Sequence, residues 1–130
     1  MNRMADTLIK LLIVDDEPAL LNLASTYFQQ SGYDVKSIPN PSDIPAALQD
    51  WKPDLILLDI LMPNANGLDV LRSLKQDPTT SPIPVFIFSN LDSEDQIAEA
   101  LSAGAVGYLT KANYSLEDVQ KKIEEILGRR

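Results

Sequence analysis

Leu55-Ile56-Leu57-Leu58-Asp59-Ile60-Leu61-Met62-Pro63, residues 55–63, is the stretch on which the reading of this chain turns. The four apolar residues Leu55 to Leu58 make a run too short for an ordinary helix and without the polar alternation of a half-exposed strand, so they read as a strand covered on both faces. Leu8 to Val14 and Val85 to Phe88 are nearly all apolar in the same way. Strands of this kind belong to parallel sheets flanked by helices, and short apolar runs here alternate with helical-period segments five times. The pattern predicts strands near residues 8–14, 33–38, 54–59, 83–89 and 106–110, and helices near 17–31, 42–50, 66–76, 92–103 and 115–127.

The second and fifth strands are weaker. Val35 and Ile38 are separated by Lys36 and Ser37, and Gly107, Tyr108 and Leu109 run into Thr110, so both read as edges. Right-handed crossovers with those edges give the order 2-1-3-4-5, a flavodoxin-like (βα)5 three-layer α/β sandwich whose ligands bind at the carboxyl ends of the strands, where the winding reverses. Gly32 and Gly104 stand where left-handed helix caps are expected, and Pro18 suits a first helical turn. The whole of 1–130 reads as a single domain with a core at about 8–127 and a loose arm over 1–6. No further output domain is expected after the last helix.

Composition narrows the chemistry. The 130 residues contain no cysteine and no histidine, which removes disulfides, thiol nucleophiles, imidazole bases and zinc sites built on nitrogen or sulfur. Any metal must be held by oxygen. The formal charge of −8 disfavours direct nucleic-acid binding. The apolar runs are too short to span a bilayer and the N-terminus lacks a signal-peptide core, so a soluble cytoplasmic protein without membrane partners is expected.

Polar residues follow four of the five strands. Asp15 and Asp16 come after the first, Asp59 after the third, Ser89 at the end of the fourth and Lys111 after the fifth. Taken singly, Asp16 reads equally well as a helix N-cap, and Asp59 as the cap of a turn before Met62 and Pro63. Taken together, three carboxylates on one rim repel one another unless a cation neutralises them, and an all-oxygen, partly hydrated site suits Mg2+. Each residue then has a task in phosphoryl transfer. Asp59 attacks phosphorus, Asp16 ligates the metal directly and Asp15 through water, Lys111 pairs with carboxylate and then phosphoryl group, and Ser89 donates its hydroxyl to a phosphoryl oxygen.

In order and spacing, Val14-Asp15-Asp16-Glu17, Leu58-Asp59-Ile60-Leu61-Met62-Pro63, Ser89 and Gly107-Tyr108-Leu109-Thr110-Lys111 resemble the signature of response-regulator receiver domains over residues 8–127. The resemblance implies a phosphorylation switch of a two-component system, not an enzyme in its own right, with a sensor histidine kinase or histidine phosphotransfer protein as phosphodonor to Asp59. It implies Mg2+ also touching the main-chain carbonyl of Leu61, and a signal carried by Ser89 and Tyr108 to the surface of the fourth helix, fifth strand and fifth helix, which controls a downstream protein. Without the resemblance, Tyr108 reads as an aromatic on a half-buried edge strand. An aspartate-nucleophile phosphohydrolase would carry a second aspartate where Leu61 stands, and a flavin module would replace Asp15-Asp16-Glu17 with a phosphate-cradling loop.

Four finer expectations follow. Leu61 and Leu91 would flank the phosphoryl group and offer nothing to orient a water, so hydrolysis is expected to be slow. Ala112 occupies a position where receivers usually carry proline, and a cis bond before a non-proline residue costs about 2.5–4 kcal/mol, so a trans Lys111–Ala112 bond is predicted, followed by Ser115 as N-cap with Asp118 three residues on. On the first helix, Leu20, Ala24, Tyr27 and Phe28 read as the core stripe, with Leu21 on an exposed flank as a candidate kinase contact. Glu94, Asp95 and Glu99 read as a solvated helix face.

Overall fold

The computed structural model describes residues 8–63 and 65–128; the expected arm over 1–6 lies outside them. The chain order is β1 (Lys10–Val14), α1 (Pro18–Gln30), β2 (Asp34–Ile38), α2 (Ile44–Ala47), β3 (Leu55–Leu58), β4 (Leu61–Met62), β5 (Ala65–Asn66), α3 (Gly67–Gln76), β6 (Val85–Ser89), α4 (Glu94–Ser102), β7 (Gly107–Thr110) and α5 (Leu116–Leu127). Five strands form one parallel sheet ordered β2-β1-β3-β6-β7, which is the expected 2-1-3-4-5 once the short β4–β5 hairpin is set aside.

The unbroken apolar runs are explained by two cores, one on each face of the sheet. Leu12, Val14, Ile56, Leu58, Val85 and Ile87 face one way, onto Ile44, Leu68, Leu71, Leu74 and Ala100 of α2, α3 and α4. Their neighbours Leu11, Ile13, Leu55, Leu57, Phe86 and Phe88 face the other way, onto Leu21, Ala24 and Phe28 of α1 and Val119 and Ile123 of α5. Alternation with both faces covered leaves no strand position for a polar residue until the strand ends. Chemistry is thereby confined to the strand termini. Gly32 and Gly104 take φ values of +92° and +113° just past α1 and α4, the left-handed conformation expected of them.

Three features depart from the sequence reading. The second helix is a 3-10 turn over Pro41–Asp43, capped by the Asn40 side chain, followed by only four helical residues, Ile44–Ala47, instead of 42–50. Pro41 and Pro45 supply no N–H there, and Asp50 turns to φ +62°, ending the segment. Glu99 is not simply solvated: it pairs with Arg72, which also holds Asp69 at 3.1 Å, and so ties α4 to α3.

Leu21 is the third departure, and the correction removes it as a kinase-contact candidate. It is buried at 8% exposure within the α1–α5 core, while Leu20 is half-buried and Leu23 is the exposed leucine at 60%. Leu21 lies two turns before Phe28, and Phe28 buries its whole ring against Tyr33, with centroids 5.1 Å apart. Leu21→Ala is therefore expected to cost about 2–5 kcal/mol of folding stability, whereas Leu23→Ala should stay within about 0.5 kcal/mol. Urea unfolding of the two variants checks this; a costlier Leu23→Ala would contradict it.

Candidate functional site

The sheet ladder runs one residue past the strands and places the polar groups. The Asp59 N–H donates to the Val14 carbonyl at 3.0 Å, the Asp15 N–H to the Ile38 carbonyl at 3.2 Å, and the Lys111 N–H to the Ser89 carbonyl at 2.9 Å. Asp15, Asp59, Ser89 and Lys111 thus stand at the carboxyl ends of β1, β3, β6 and β7. Asp15 and Asp59 are buried, as is Ser89.

Lys111 is the hub. Its ammonium lies 2.7 Å from Asp15 Oδ2, 2.7 Å from Glu17 Oε1 and 3.1 Å from Asp59 Oδ2. The second oxygen of each buried aspartate is held by backbone: Asp15 Oδ1 accepts the Glu17 N–H, and Asp59 Oδ1 the Leu61 N–H, both at 2.9 Å. Asp59 does therefore fasten a turn, as its isolated reading suggested, while its other oxygen faces Lys111. Burial pushes the Asp15 carboxyl above its ordinary pKa, against the opposing pull of Lys111 and the Glu17 amide. Burial alone would lower the Lys111 pKa, but bonding to Asp15 and Glu17 and the charge of Asp59 outweigh it, and the ammonium is held above the usual lysine value.

Oxygens of Asp15, Glu17 and Asp59 all lie within 4.8 Å of one another. Three carboxylates less one ammonium leave two negative charges, the charge a divalent cation would balance. The all-oxygen donors suit a hard ion of the Mg2+ type. Asp16, expected as the direct ligand, is half-buried and outside this group, and Glu17, which the sequence reading passed over, stands in it. The cause is geometric. The chain bends at Asp16, and the Glu17 N–H is tied back to Asp15 Oδ1 at 2.9 Å, which brings Glu17 rather than Asp16 into the group with Asp15. Asp16 is not the helix cap either; Glu17 holds that position, without a side-chain capping bond.

The loop after Asp59 is pinned from the far side. Leu61 and Met62 pair with Asn66 and Ala65, and the Asn66 side chain caps α3 by accepting the Leu68 N–H at 3.0 Å. A Cβ on Gly67 would come within 2.1 Å of Ile60 Cα, so only glycine allows α3 to start this close to the segment carrying Asp59. Leu61 itself exposes its side chain.

Ser89 and Tyr108 are brought together as well. The Leu91 N–H donates to Ser89 Oγ at 3.3 Å, and the Tyr108 hydroxyl donates to the Leu91 carbonyl. Tyr108 is half-buried on the core facing α4, and that burial raises its pKa while the Ser89 hydroxyl beside it draws it down. No cis peptide occurs among the described residues, so Lys111–Ala112 is trans as expected. Ser115 and Asp118 form the expected capping box, with bonds of 3.2 and 2.9 Å. No helix among the described residues is long and apolar enough to cross a membrane.

Comparison with known proteins agrees with this geometry. The family described as response regulator receiver domain matches residues 11–124. The "Protein PilH" of Pseudomonas aeruginosa is 36% identical over 119 residues, covering 92% of this chain and 98% of that protein. The "Phosphate regulon transcriptional regulatory protein PhoB" of the same organism is 33% identical over 119 residues, covering 92% of this chain but 52% of PhoB, so the chain spans about half the length of that relative. The crystal structure of a CheY-like response regulator receiver domain protein from Methanospirillum hungatei superposes with a TM-score of 0.84 at 25% identity, covering 94% and 95% of the two chains.

The raised Asp15 pKa has a stability consequence with a definite sign. A carboxyl whose folded pKa exceeds its ordinary 3.8 binds its proton more readily in the folded state, so its contribution is favourable in acid and is lost as pH rises through the folded value. With chelator present, Asp15→Asn should be more stable than the unaltered protein at pH 7 by roughly 1 kcal/mol, and the gap should close as pH falls toward 4. Urea unfolding at both pH values checks this; a less stable variant at pH 7 would contradict it.

Proposed function

The chain belongs to the response-regulator receiver domain family, and on that premise we propose that it is a phosphorylation switch of a two-component system whose phosphoacceptor is Asp59. The observation that carries this reading is the buried Asp59 carboxylate with one oxygen on the Leu61 amide and the other 3.1 Å from the Lys111 ammonium. The backbone bond fixes the carboxylate for attack. An Asp59 oxygen forms the new bond to phosphorus, and the bond from phosphorus to the donor's nitrogen or oxygen breaks, with the electron pair leaving on the donor. Lys111 follows the charge from carboxylate to phosphoryl group, and Ser89 offers its hydroxyl to a phosphoryl oxygen.

A Mg2+ ion would be held by Asp15, Asp59 and Asp16, the last standing outside the Asp15–Glu17–Asp59 group, with the main-chain carbonyl of Leu61, while Glu17 stays on Lys111; bound there it would neutralise the charge that builds on the transferring group. Asp59 takes its phosphoryl group from a sensor histidine kinase or a histidine phosphotransfer protein in the cytoplasm, and the domain, read as the single unit 1–130, acts as an acceptor that promotes its own modification and slow hydrolysis. Direct nucleic-acid contact by this chain is disfavoured by the charge of −8, although PhoB is a transcriptional regulatory protein. Tyr108 and the surface of α4, β7 and α5 carry the output to a downstream protein.

Incubation with acetyl phosphate and Mg2+, followed by intact mass, should show one phosphoryl group on the unaltered chain and none on Asp59→Asn. Gain of mass by Asp59→Asn would refute the assignment. Ser89→Ala should still accept beryllofluoride with Mg2+, yet leave the resonances of Tyr108 and α4 close to their resting positions. If they respond as in the unaltered protein, the Ser89–Leu91–Tyr108 link does not carry the signal.

A further inference from the structure

Lys111 has three N–H donors, and three carboxylates surround them. The three acceptors are not equivalent. The Asp15 and Asp59 side chains are 7% and 3% exposed, whereas the Glu17 side chain is 54% exposed. Nothing in the phosphoacceptor reading uses Glu17. Its position is nevertheless built: Pro18 follows it and restricts it to extended backbone, and its N–H is fastened to Asp15 Oδ1. The side chain is thereby aimed from the start of α1 back across the rim to Lys111.

We propose that Glu17 is a positioning residue that tethers Lys111 at rest and competes with the arriving phosphoryl group for its ammonium. The proposal rests on Asp59 as phosphoacceptor. With all three donors facing carboxylates, a phosphoryl oxygen can reach Lys111 only if one of them yields. Separating Lys111 from Asp15 or Asp59 strands a buried charge, which is costly; Glu17 can turn to water at little cost. Glu17 is the partner that gives way, and the strength of its hold is subtracted from the affinity for the phosphoryl group.

Beryllofluoride, the phosphoryl stand-in, gives the test by titration calorimetry in saturating Mg2+. Glu17→Gln removes the charge; Glu17→Asp keeps the charge but shortens the reach by a methylene. Both should bind beryllofluoride about two- to five-fold more tightly than the unaltered protein, the range expected for release of one exposed ion pair. The Mg2+ concentration that half-maximally raises the melting temperature of Glu17→Asp should match the unaltered protein. Wild-type beryllofluoride affinity in Glu17→Asp would mean that charge at a distance acts rather than the tether, and equal affinity in all three proteins would mean no role; either overturns the proposal. A shifted Mg2+ midpoint in Glu17→Asp would make Glu17 a metal ligand and overturn it too. If the unaltered protein binds no beryllofluoride, it is the phosphoacceptor reading that has failed.

Discussion

A single ammonium group, that of Lys111, holds together three carboxylates that the strand order forces onto one rim. The central strands β1, β3 and β6 are apolar except at their ends because both faces of the sheet are buried, so polar residues can stand only at the strand ends or just beyond. For β1 and β3, adjacent and parallel, those residues are Asp15 and Asp59. Two buried like charges at this distance are unstable alone. Lys111, brought in from β7 at the edge, offsets part of the repulsion, and the two negative charges that remain define what a cation or a phosphoryl-transfer reaction finds there.

The surrounding backbone is arranged to keep those side chains from relaxing away. One oxygen of each aspartate is tied to an amide two residues on, which leaves the other committed to Lys111. The Ile60–Gly67 contact and the β4–β5 hairpin stiffen the segment beyond Asp59. By contrast, Ser89 and Tyr108 meet through the backbone of Leu91, in a loop between β6 and α4.

Much of this was legible in the residues because doubly buried strands leave a strong mark: Leu55 to Leu58 and Val85 to Phe88 declare both the sheet and its polar ends. The α1 phase was not, because Leu20, Leu21 and Leu23 put leucine on several sides of the helix, and Leu20 and Leu21 fit equally well with Ala24 and Phe28; the structure buries Leu21, Ala24 and Phe28. The two-residue strands of the hairpin are too short to leave a period, and the positive φ of Asp50, which no apolar spacing reveals, ends the second helical segment early. Glu17 escaped notice because Asp15-Asp16 reads as a pair, whereas the bend at Asp16 and the bond from the Glu17 N–H to Asp15 Oδ1 bring together residues two apart.

The central claim is that chemistry falls on Asp59 and not on the neighbouring carboxylates of the same cluster. Borohydride reduction of the acetyl phosphate-treated protein, which converts an acyl phosphate to an alcohol, followed by peptide mapping, reads the position directly. The account predicts homoserine at position 59 and unaltered aspartate at 15 and 16. Homoserine at Asp15 or Asp16, with Asp59 intact, would contradict it.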